Sequence, residues 1–522
     1  MKRRTGEPEG GPVAPAAVAV EDGEGAWSRV ELEAAIAAAA RRLRPRLPGK
    51  ATAVALLPRR REGLVALHAV PRAGGVLALL HPEWTDRELL ASVARLRPAA
   101  VLFPAELEPL AGRVAPSAVP LPLEELVPRT GSALPDRPAG VSPVEGGAAV
   151  PVPDDPSPRP ATARPAASPV PLSEASWILA TSGSSGRPRL VALSRDALVS
   201  NARAAARRLR LAAEDRWLAS LSLAHVGGLA LAVRARLLRS TLVLRETFDP
   251  EEWAHLLDEG AFTHASLVPT MLYRLLEARG DRPAPPSLRC LLVGGAATPS
   301  GLLERALGLG YPVALTYGLT ECGSQVATAP PELVRRRPGT VGPPLDGTRV
   351  RLSEEGEILV RGPSVMLGYW DEPDVRNCEG AWLRTGDYGR LDEEGHLWIT
   401  GRRADRIVSG GVNVDPAEVE EVLLSCPAVR KAVVVGVADP EWGERVVAAV
   451  QLQGEQIRAE RASGAAGGES AREAIRSELE ARCRKRLSGP KRPKEWAFVT
   501  VLPVRPTGKP DRPAVRRLFA EE

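Results

Sequence analysis

The stretch Trp177–Leu193 reads WILATSGSSGRPRLVAL, and the predicted fold is organised around it. Trp177–Ala180 is an apolar run that predicts a buried strand, and Leu190–Leu193 predicts the next strand. Between them lies a run of hydroxyl and glycine residues, namely Thr181, Ser182, Gly183, Ser184, Ser185 and Gly186. Glycines allow backbone N–H groups to converge on an anion, and the hydroxyls add donors. The stretch therefore predicts a loop that binds phosphate.

The residues that follow this run limit which kind of phosphate-binding loop the stretch can form. Arg187 and Arg189 flank a proline and add positive charge. No lysine follows Gly186 in the place that the G-x-x-x-x-G-K-[ST] nucleotide loop requires, so the loop is of another kind. Taken alone, the stretch also fits a plain Gly/Ser turn between two strands.

Composition places the chain among ordinary globular proteins. It has 522 residues, of which 44% are hydrophobic and 25% are charged. This length predicts roughly two to four domains. The formal net charge is +5, which is small for such a length and argues against a nucleic-acid partner.

Cysteine usage and the N-terminus bear on the compartment. The five cysteines lack CxxC spacing, so neither a disulfide framework nor a zinc site is expected; they are Cys290, Cys322, Cys378, Cys426 and Cys483. Met1–Pro12 contains no apolar signal segment, and no apolar run reaches membrane-spanning length. We expect a cytoplasmic protein that does not insert into a membrane.

Pattern and composition divide the chain. We expect a disordered N-terminus over residues 1–26 and a large domain over 27–401, in which repeated strand–helix units predict α/β layers with largely parallel sheets. A β region is expected near its end, with strands at Gly356–Gly362 and Val365–Tyr369. Residues 402–522 predict a small α+β domain, and its mobility is implied by the resemblance given below.

Two segments do not fit regular structure. From about 128 to 171 the chain is crowded with proline, alanine, glycine and serine, which predicts a linker or long surface loop. Gln453–Gly468 is polar and is expected to be a mobile insertion. The predicted helices include Trp27–Leu47, Asp86–Leu96, Arg195–Leu209, Pro416–Leu424 and Glu469–Leu487.

Chemically capable residues follow several predicted strands. They are His225 before two glycines, the group Gly294, Gly295 and Ala296, and the group Tyr317, Thr320 and Glu321. The last group could stack a base, contact a phosphate and hold a divalent metal. Asp387 and Lys509 each lie beside a glycine. Taken singly, a packed histidine, a turn aspartate and a solvated lysine are the alternatives.

Together these motifs resemble the adenylate-forming superfamily, which contains acyl-CoA synthetases, luciferases and peptide-synthetase adenylation domains. The resemblance covers roughly residues 27–518. Five stretches carry it in order: TSGSSGRPR, YGLTE, WLRTGD, GRRADRIVSGGVNVDPAEVE and PTGK. Five motifs in one order are far more specific than any one of them.

The resemblance implies an ATP-dependent, AMP-forming enzyme that uses Mg²⁺ and CoA, and it implies roles for individual residues. The loop Thr181–Arg189 would bind the β- and γ-phosphates of ATP, and Thr320 the α-phosphate. Glu321 would ligate Mg²⁺. Lys509 would bridge the substrate carboxylate and the α-phosphate. The remaining roles are Gly294–Ala296 and Tyr317 at the adenine, Asp387 at the ribose, Arg402 at the nucleotide, and Gly410 and Gly411 along the pantetheine arm of CoA.

The chain departs from the superfamily pattern at two positions. Arg189 stands where lysine is usual, which keeps the charge, and Ala404 stands at the hinge position where Asp or Lys is common. The second departure leaves the hinge mechanics open. Only seven of the 69 basic residues are lysines, and Lys509 is one of them.

Within the superfamily, two stretches resemble the o-succinylbenzoate–CoA ligases of menaquinone biosynthesis. They are SLAHVGGL, which contains His225, and TYGLTECGSQVAT, which contains Ser324 and Gln325. The resemblance places these three residues in or near the acyl pocket. A polar pocket suits an aromatic dicarboxylate better than a fatty chain. Another aryl- or acyl-CoA ligase, or a stand-alone enzyme that loads a carrier protein, remains an alternative.

Overall fold

The computed structural model of the protein describes residues 18–127, 174–181, 188–372, 378–402, 405, 407–409, 412–439, 442–453, 464–504 and 510–519. The Pro-rich segment predicted over about 128–171 lies outside these residues, as do 1–17 of the N-terminus and most of the predicted insertion.

The first sheet has seven strands and is largely parallel. In spatial order they are β17 (Gly368–Tyr369), β8 (Arg189–Ser194), β7 (Ala175–Thr181), β4 (Val76–Leu79), β3 (Thr52–Ala55), β5 (Ala100–Phe103) and β6 (Val119–Pro122). The five strands from β7 to β6 are parallel. Strands β8 and β17 are added antiparallel at one edge.

The second sheet has eight strands and the same character. In spatial order they are β14 (Ser324–Ala329), β13 (Val313–Leu319), β12 (Cys290–Val293), β11 (His264–Leu267), β9 (Arg216–Ala219), β10 (Thr241–Leu244), β1 (Val18–Asp22) and β2 (Gly25–Ser28). The six strands from β13 to β1 are parallel, and the two edge strands are antiparallel.

The helices of the large domain cover both faces of these sheets. They are α1 (Arg29–Leu43), α2 (Arg61–Ala73), α3 (Asp86–Leu96), α4 (Glu108–Val114), α5 (Leu123–Leu126), α6 (Arg195–Leu209), α7 (Val226–Leu238), α8 (Pro250–Asp258), α9 (Pro269–Arg279), α10 (Ser300–Gly308) and α11 (Pro331–Arg336). Helices α1, α2 and α7 share one apolar core with both sheets. Helices α3 and α4 cover the far side of the first sheet, and α8, α9 and α10 that of the second.

Successive side chains of each strand point to opposite faces of the sheet, which explains why these strands are apolar throughout. Trp217 of β9 points into the central core, whereas the next residue, Leu218, points into the outer core of the second sheet. In β3 the neighbours Ala53 and Val54 divide in the same way. Successive side chains of a strand face opposite sides, so a sheet covered on both faces needs apolar residues at every position. The predicted α/β layering is confirmed.

A third, antiparallel sheet forms the β region. Its strands are β15 (Arg349–Leu352), β16 (Glu357–Arg361), β18 (Cys378–Glu379), β19 (Trp382–Leu391) and β20 (Leu397–Arg402). Strand β16 corresponds to the predicted strand Gly356–Gly362. The second predicted strand of this region, Val365–Tyr369, was assigned to the wrong sheet, because β17 hydrogen bonds to β8 of the first sheet.

The C-terminal part has its own sheet and core. The strands are β21 (Ile407–Ser409), β22 (Val412–Val414), β23 (Val429–Asp439), β24 (Gly443–Leu452) and β25 (Glu495–Phe498). The helices are α12 (Pro416–Leu424), α13 (Gly464–Arg486) and α14 (Arg512–Arg517). Strands β23 and β24 are antiparallel, and β25 runs parallel to β24. This is the predicted small α+β domain.

Two sequence predictions differ from the structure. Residues 18–26 belong to β1 and to the start of β2, although residues 1–26 were expected to be disordered. Strand β1 is held by parallel pairing with β10, more than 200 residues away. The last five residues of the predicted insertion Gln453–Gly468 belong to α13. None of the helices in the described ranges has the length and apolar character needed to cross a bilayer.

One half-buried carboxylate, Asp415, lies where the large and small domains meet. Asp415 accepts a hydrogen bond from the backbone N–H of Ala417 and so caps α12. A Cβ atom on Gly401, near the end of β20, would lie 2.1 Å from Asp415 Oδ2, so a larger residue there would displace the Asp415 carboxylate. Burial raises the pKa of Asp415 to about 6, and Glu420 and Glu418 add to the rise.

We expect Asp415→Asn to raise the free energy of unfolding at pH 7.5 and to change it little at pH 4. The folded-state pKa of about 6 lies above the ordinary 3.8, so the wild-type protein binds more protons when folded and loses stability as the pH rises through this window. The amide still caps the helix and does not ionise. The two pKa values set an upper limit of roughly 3 kcal/mol. Urea unfolding at both pH values measures the change.

Asp249 provides the matched control, because it caps α8 in the same way but is exposed. Asp249→Asn should not raise the free energy of unfolding at either pH value. An equal gain from Asp415→Asn at pH 4 and pH 7.5 would contradict the explanation.

Candidate active site

The predicted phosphate loop connects two paired strands. Strands β7 and β8 are antiparallel, and their pairing ends at Thr181 and Arg189. Thr181 Oγ1 lies 3.5 Å from the backbone oxygen of Arg189. The predicted loop residues Ser182, Gly183, Ser184, Ser185 and Gly186 lie outside the described residues.

Arg189 and Tyr369 connect the base of this loop to the predicted metal ligand, Glu321. Arg189 Nη1 donates to the hydroxyl of Tyr369 over 3.2 Å, and its guanidinium lies 5.2 Å from the centre of the tyrosine ring. The same hydroxyl donates to Glu321 Oε1 over 3.3 Å. Burial raises the pKa of Tyr369 to about 12, with a contribution from Glu321, so the phenol stays protonated. Tyr369 thus holds a cation and a carboxylate at fixed positions.

Sequence analysis did not identify Tyr369 as a site residue. Its hydroxyl reaches Arg189 and Glu321 because β17 pairs with β8, beside the loop. A two-residue strand gives too short a pattern to predict its partner. The sequence carried no signal for this contact.

A second pair of predicted residues is joined directly. The hydroxyl of Tyr317, in β13, donates to Asp387 Oδ2 in β19 over 2.8 Å. Burial raises the pKa of Tyr317 well above its usual value, and the negative charge of Asp387 raises it further. Asp387 lies opposite Arg402 in the β19–β20 pairing, and the Arg402 side chain lies outside the described residues. The geometry thus brings an aromatic ring and a buried carboxylate together at one strand end.

The glycines after β12 allow a close approach of two strand ends. A Cβ on Gly294 would lie 2.6 Å from the Thr316 side chain and 3.0 Å from its backbone oxygen. Gly295 has a φ of +81°, a conformation that favours glycine. The neighbouring Ala296 is exposed. Glycine at 294 is thus required by packing against Thr316, and the contact of this segment with adenine stays a prediction.

Glu321 fits a magnesium ion that is shared with a phosphate chain. It lies with Thr320 in a single 3-10 turn, Thr320–Cys322, that follows β13. The backbone oxygen of Glu321 accepts from Met366 over 2.7 Å, which fixes the turn. Mg²⁺ is commonly held by one or two carboxylates together with substrate phosphates and water, so one glutamate suffices. Among the described residues no group of three or more acidic, histidine or cysteine side chains forms a further metal cluster.

The predicted acyl-pocket residues occupy different environments. His225 precedes α7, and its ring centre lies 5.1 Å from that of His81. Ser324 has a φ of +124°, which is strained for a residue with a side chain. Gln325 is buried, and its Oε1 accepts from the Thr328 hydroxyl over 2.7 Å. Gln325 is therefore tied into the β14 packing.

His81 is a second residue that sequence analysis missed. It follows β4 in the first sheet, whereas His225 follows β9 in the second. Burial lowers the pKa of His81, and the charge of Arg59 lowers it further while Glu83 opposes the change. The signal was available, because His81, like His225, lies in the segment that follows a buried strand.

Small residues near His225 do not all enlarge a pocket. A Cβ on Gly228 would lie 2.2 Å from the backbone oxygen of Ser222, so this glycine lets α7 pack on its own preceding loop. Gly323 has a φ of +64° and faces the Ser364 backbone oxygen at 3.1 Å from a built Cβ. Both glycines are required by the backbone.

Several predicted residues cannot be placed. Gly410, Gly411 and Lys509 lie outside the described residues, as does the hinge residue Ala404. The four cysteines whose side chains are described, Cys290, Cys322, Cys426 and Cys483, are free and buried.

Comparison with known families covers most of the chain. The AMP-binding enzyme family matches residues 9–370, and the AMP-binding enzyme C-terminal domain matches residues 418–509. A 2-succinylbenzoate–CoA ligase of Geobacillus kaustophilus is 38% identical over 359 residues, which are 67% of this chain and 70% of that protein. A 2-succinylbenzoate–CoA ligase of Bacillus cereus is 37% identical over 361 residues, with 67% and 71% covered.

Solved structures resemble the whole chain. The o-succinylbenzoate CoA synthetase from Bacillus subtilis, in complex with its acyl-adenylate intermediate, has a TM-score of 0.78 and is 28% identical; 98% of this chain and 96% of that chain are covered. ATP-bound MatB from Rhodopseudomonas palustris has a TM-score of 0.79 and is 25% identical, with 97% and 96% covered. The resemblance inferred from the five motifs is confirmed.

We expect Tyr369→Phe to raise the KM for MgATP by about fivefold or more. The phenyl ring still contacts the Arg189 guanidinium, but Arg189 and Glu321 lose the hydroxyl between them. Steady-state kinetics with varied ATP measures the effect. Tyr311→Phe is the control, because the Tyr311 hydroxyl accepts from Arg279 over 2.5 Å in a remote core. An unchanged KM in Tyr369→Phe, or equal changes in both variants, would contradict the role of this hydroxyl.

Proposed function

Because the chain belongs to the family of AMP-binding enzymes, we propose that it is an acid–CoA ligase that converts 2-succinylbenzoate to 2-succinylbenzoyl-CoA through an acyl-adenylate, a step of menaquinone biosynthesis. The observation that carries the proposal is the match along nearly the whole chain to the synthetase whose structure holds the o-succinylbenzoate adenylate. The 38% identity to a ligase of the same activity supports the substrate.

The first half-reaction brings two anions together. A carboxylate oxygen of the acid attacks the α-phosphorus of ATP, and pyrophosphate leaves as the acyl-adenylate forms. Charge develops at the α-phosphate, so the site needs fixed positive groups and hydrogen-bond donors where water is excluded. Magnesium, when bound with ATP, neutralises part of the phosphate charge.

We assign the nucleotide contacts as the motifs indicate. The β7–β8 loop, Thr181–Arg189, holds the departing pyrophosphate, and Thr320 contacts the α-phosphate. Glu321 ligates Mg²⁺, and its bond to Tyr369 orients the carboxylate. The remaining assignments are Gly294, Gly295, Ala296 and Tyr317 at the adenine, Asp387 at the ribose hydroxyls and Arg402 at the nucleotide.

The second half-reaction needs a different arrangement of the same enzyme. The CoA thiol attacks the adenylate carbonyl, and AMP leaves as the thioester forms. We propose that residues 402–522 form a lid that first presents Lys509 and then rotates about the segment after Gly401. Gly410 and Gly411 then lie along the pantetheine arm. The half-buried Asp415 beside Gly401 would be part of this hinge.

The acid is proposed to bind near His225, Ser324 and Gln325. The ring contact between His225 and His81 supports a polar end of this pocket, as a second carboxylate requires. The partners are then small molecules, namely the acid, ATP and CoA, with no role for nucleic acid. Such substrates are made inside the cell, so we propose a cytoplasmic location.

A comparison of several carboxylic acids tests the substrate assignment. Purified enzyme with ATP, Mg²⁺ and CoA should release AMP fastest with 2-succinylbenzoate, and slower with benzoate, succinate and a medium-chain fatty acid. Faster turnover of benzoate or the fatty acid would overturn the substrate assignment. Adenylation that stalls when free CoA is the only thiol would favour a carrier-protein acceptor instead.

We expect Lys509→Ala to slow adenylation by about 100-fold or more. The lysine stabilises charge only in the first half-reaction, so thioester formation from preformed adenylate should remain within about threefold of wild type. Single-turnover assays of each half-reaction separate the two. Lys485→Ala, an exposed lysine on α13, is the control. Equal losses in both half-reactions would contradict the two-position lid.

A further inference from the structure

A cavity of about 230 Å³ lies among α1, α2 and α7, in the layer between the two sheets. Its lining contains both apolar and strongly polar side chains; the polar ones are Arg29, Glu33, His68, Arg236, Arg239 and Ser240. None of the candidate active-site residues lines it. The volume is below that of drug-sized pockets, roughly 300 to 1,000 Å³. It suits a small ion or metabolite.

The inner end of the cavity carries two polar groups without partners. His68 is 7% exposed and Ser240 is 2% exposed. His68 Nε2 and Ser240 Oγ are buried, and neither has a hydrogen-bond partner among the described residues. An unsatisfied buried polar group is costly, and native proteins rarely leave two beside one cavity without a ligand or water. Burial lowers the pKa of His68 to about 3, so the ring is neutral and can donate from Nε2.

The outer end of the cavity carries excess positive charge. Arg236 is neutralised by Glu33, through hydrogen bonds of 2.6 and 2.8 Å. Arg29 and Arg239 form no ion pair in the described part of the chain, and the Arg29 guanidinium donates to the backbone oxygen of Arg239. Burial lowers the pKa of Arg29, and the neighbouring charge of Arg239 lowers it further. Two cations held together in this way favour an anion between them.

We propose that this cavity binds a small oxyanion, with Arg29 and Arg239 supplying charge and with Ser240 Oγ and His68 Nε2 donating hydrogen bonds. Phosphate and carboxylate groups share this chemistry. Because α1 and α7 both contribute to the central core, a bound anion would stabilise the packing between the two sheets. The site is distinct from the proposed nucleotide site.

Calorimetric titration of the full-length protein tests the proposal with two probes, inorganic phosphate and succinate. At least one should bind saturably, and the tighter probe identifies the preferred oxyanion. Arg239→Gln should weaken that binding by about tenfold or more, because a charged hydrogen bond is lost. Ser240→Ala should also weaken it, while leaving the melting temperature without the probe unchanged or higher, since it removes an unsatisfied hydroxyl.

Arg210→Gln is the matched control. Arg210 ends α6 with a φ of +52°, as Arg239 ends α7 with a φ of +62°, but it does not line the cavity. The Arg210→Gln variant should bind the probe with the affinity of the wild type. Anion binding that is unaffected in Arg239→Gln and Ser240→Ala would place the anion elsewhere, including the nucleotide site, and would overturn the proposal. Failure of both probes to bind would also overturn it, and neither outcome depends on which acid the enzyme activates.

Discussion

The parallel direction of the strands in two sheets is the constraint on which the candidate site depends. Parallel strands place all their carboxyl ends at one edge of a sheet, and a shared helical layer holds the two edges together. The ring contact between His81, after β4, and His225, after β9, joins the two sheets at this edge. The bond between Tyr369 and Glu321 joins them a second time. The site therefore exists only when both sheets are packed on α1, α2 and α7.

The same arrangement holds the charged side chains of the candidate site in fixed positions. Arg189 and Glu321 are separated by a neutral phenol, so neither is consumed in a direct ion pair. The hydroxyl of Tyr317 donates to Asp387 and holds that carboxylate in a fixed orientation. Preorganised groups of this kind do not have to reorient when charge develops on a substrate. The free energy needed to hold these groups in place is provided by folding.

Local signals predicted much of this structure. Helices α3, α6 and α12 begin and end where the sequence predicted, because their caps and apolar spacing lie within each helix. Strands β1 and β2 were missed, since their stability comes from β10, far along the chain. The candidate site shows the same contrast between local signals and contacts made far along the chain. Residues in local motifs could be proposed from the sequence, whereas Tyr369 and His81 join the candidate site only through tertiary contacts, and every site role, Lys509 included, stays a prediction from its motif.

The two edges of the first sheet have a further consequence. An open strand edge is a template for pairing with another chain. One edge strand, β6, contains Pro120 and Pro122, which cannot donate to a new ladder. The other edge ends on β17, which has two residues and offers an incoming strand almost no length to pair with. The element that carries Tyr369 to the site thus also protects the protein from edge-to-edge aggregation, so solubility and catalysis constrain the same short segment.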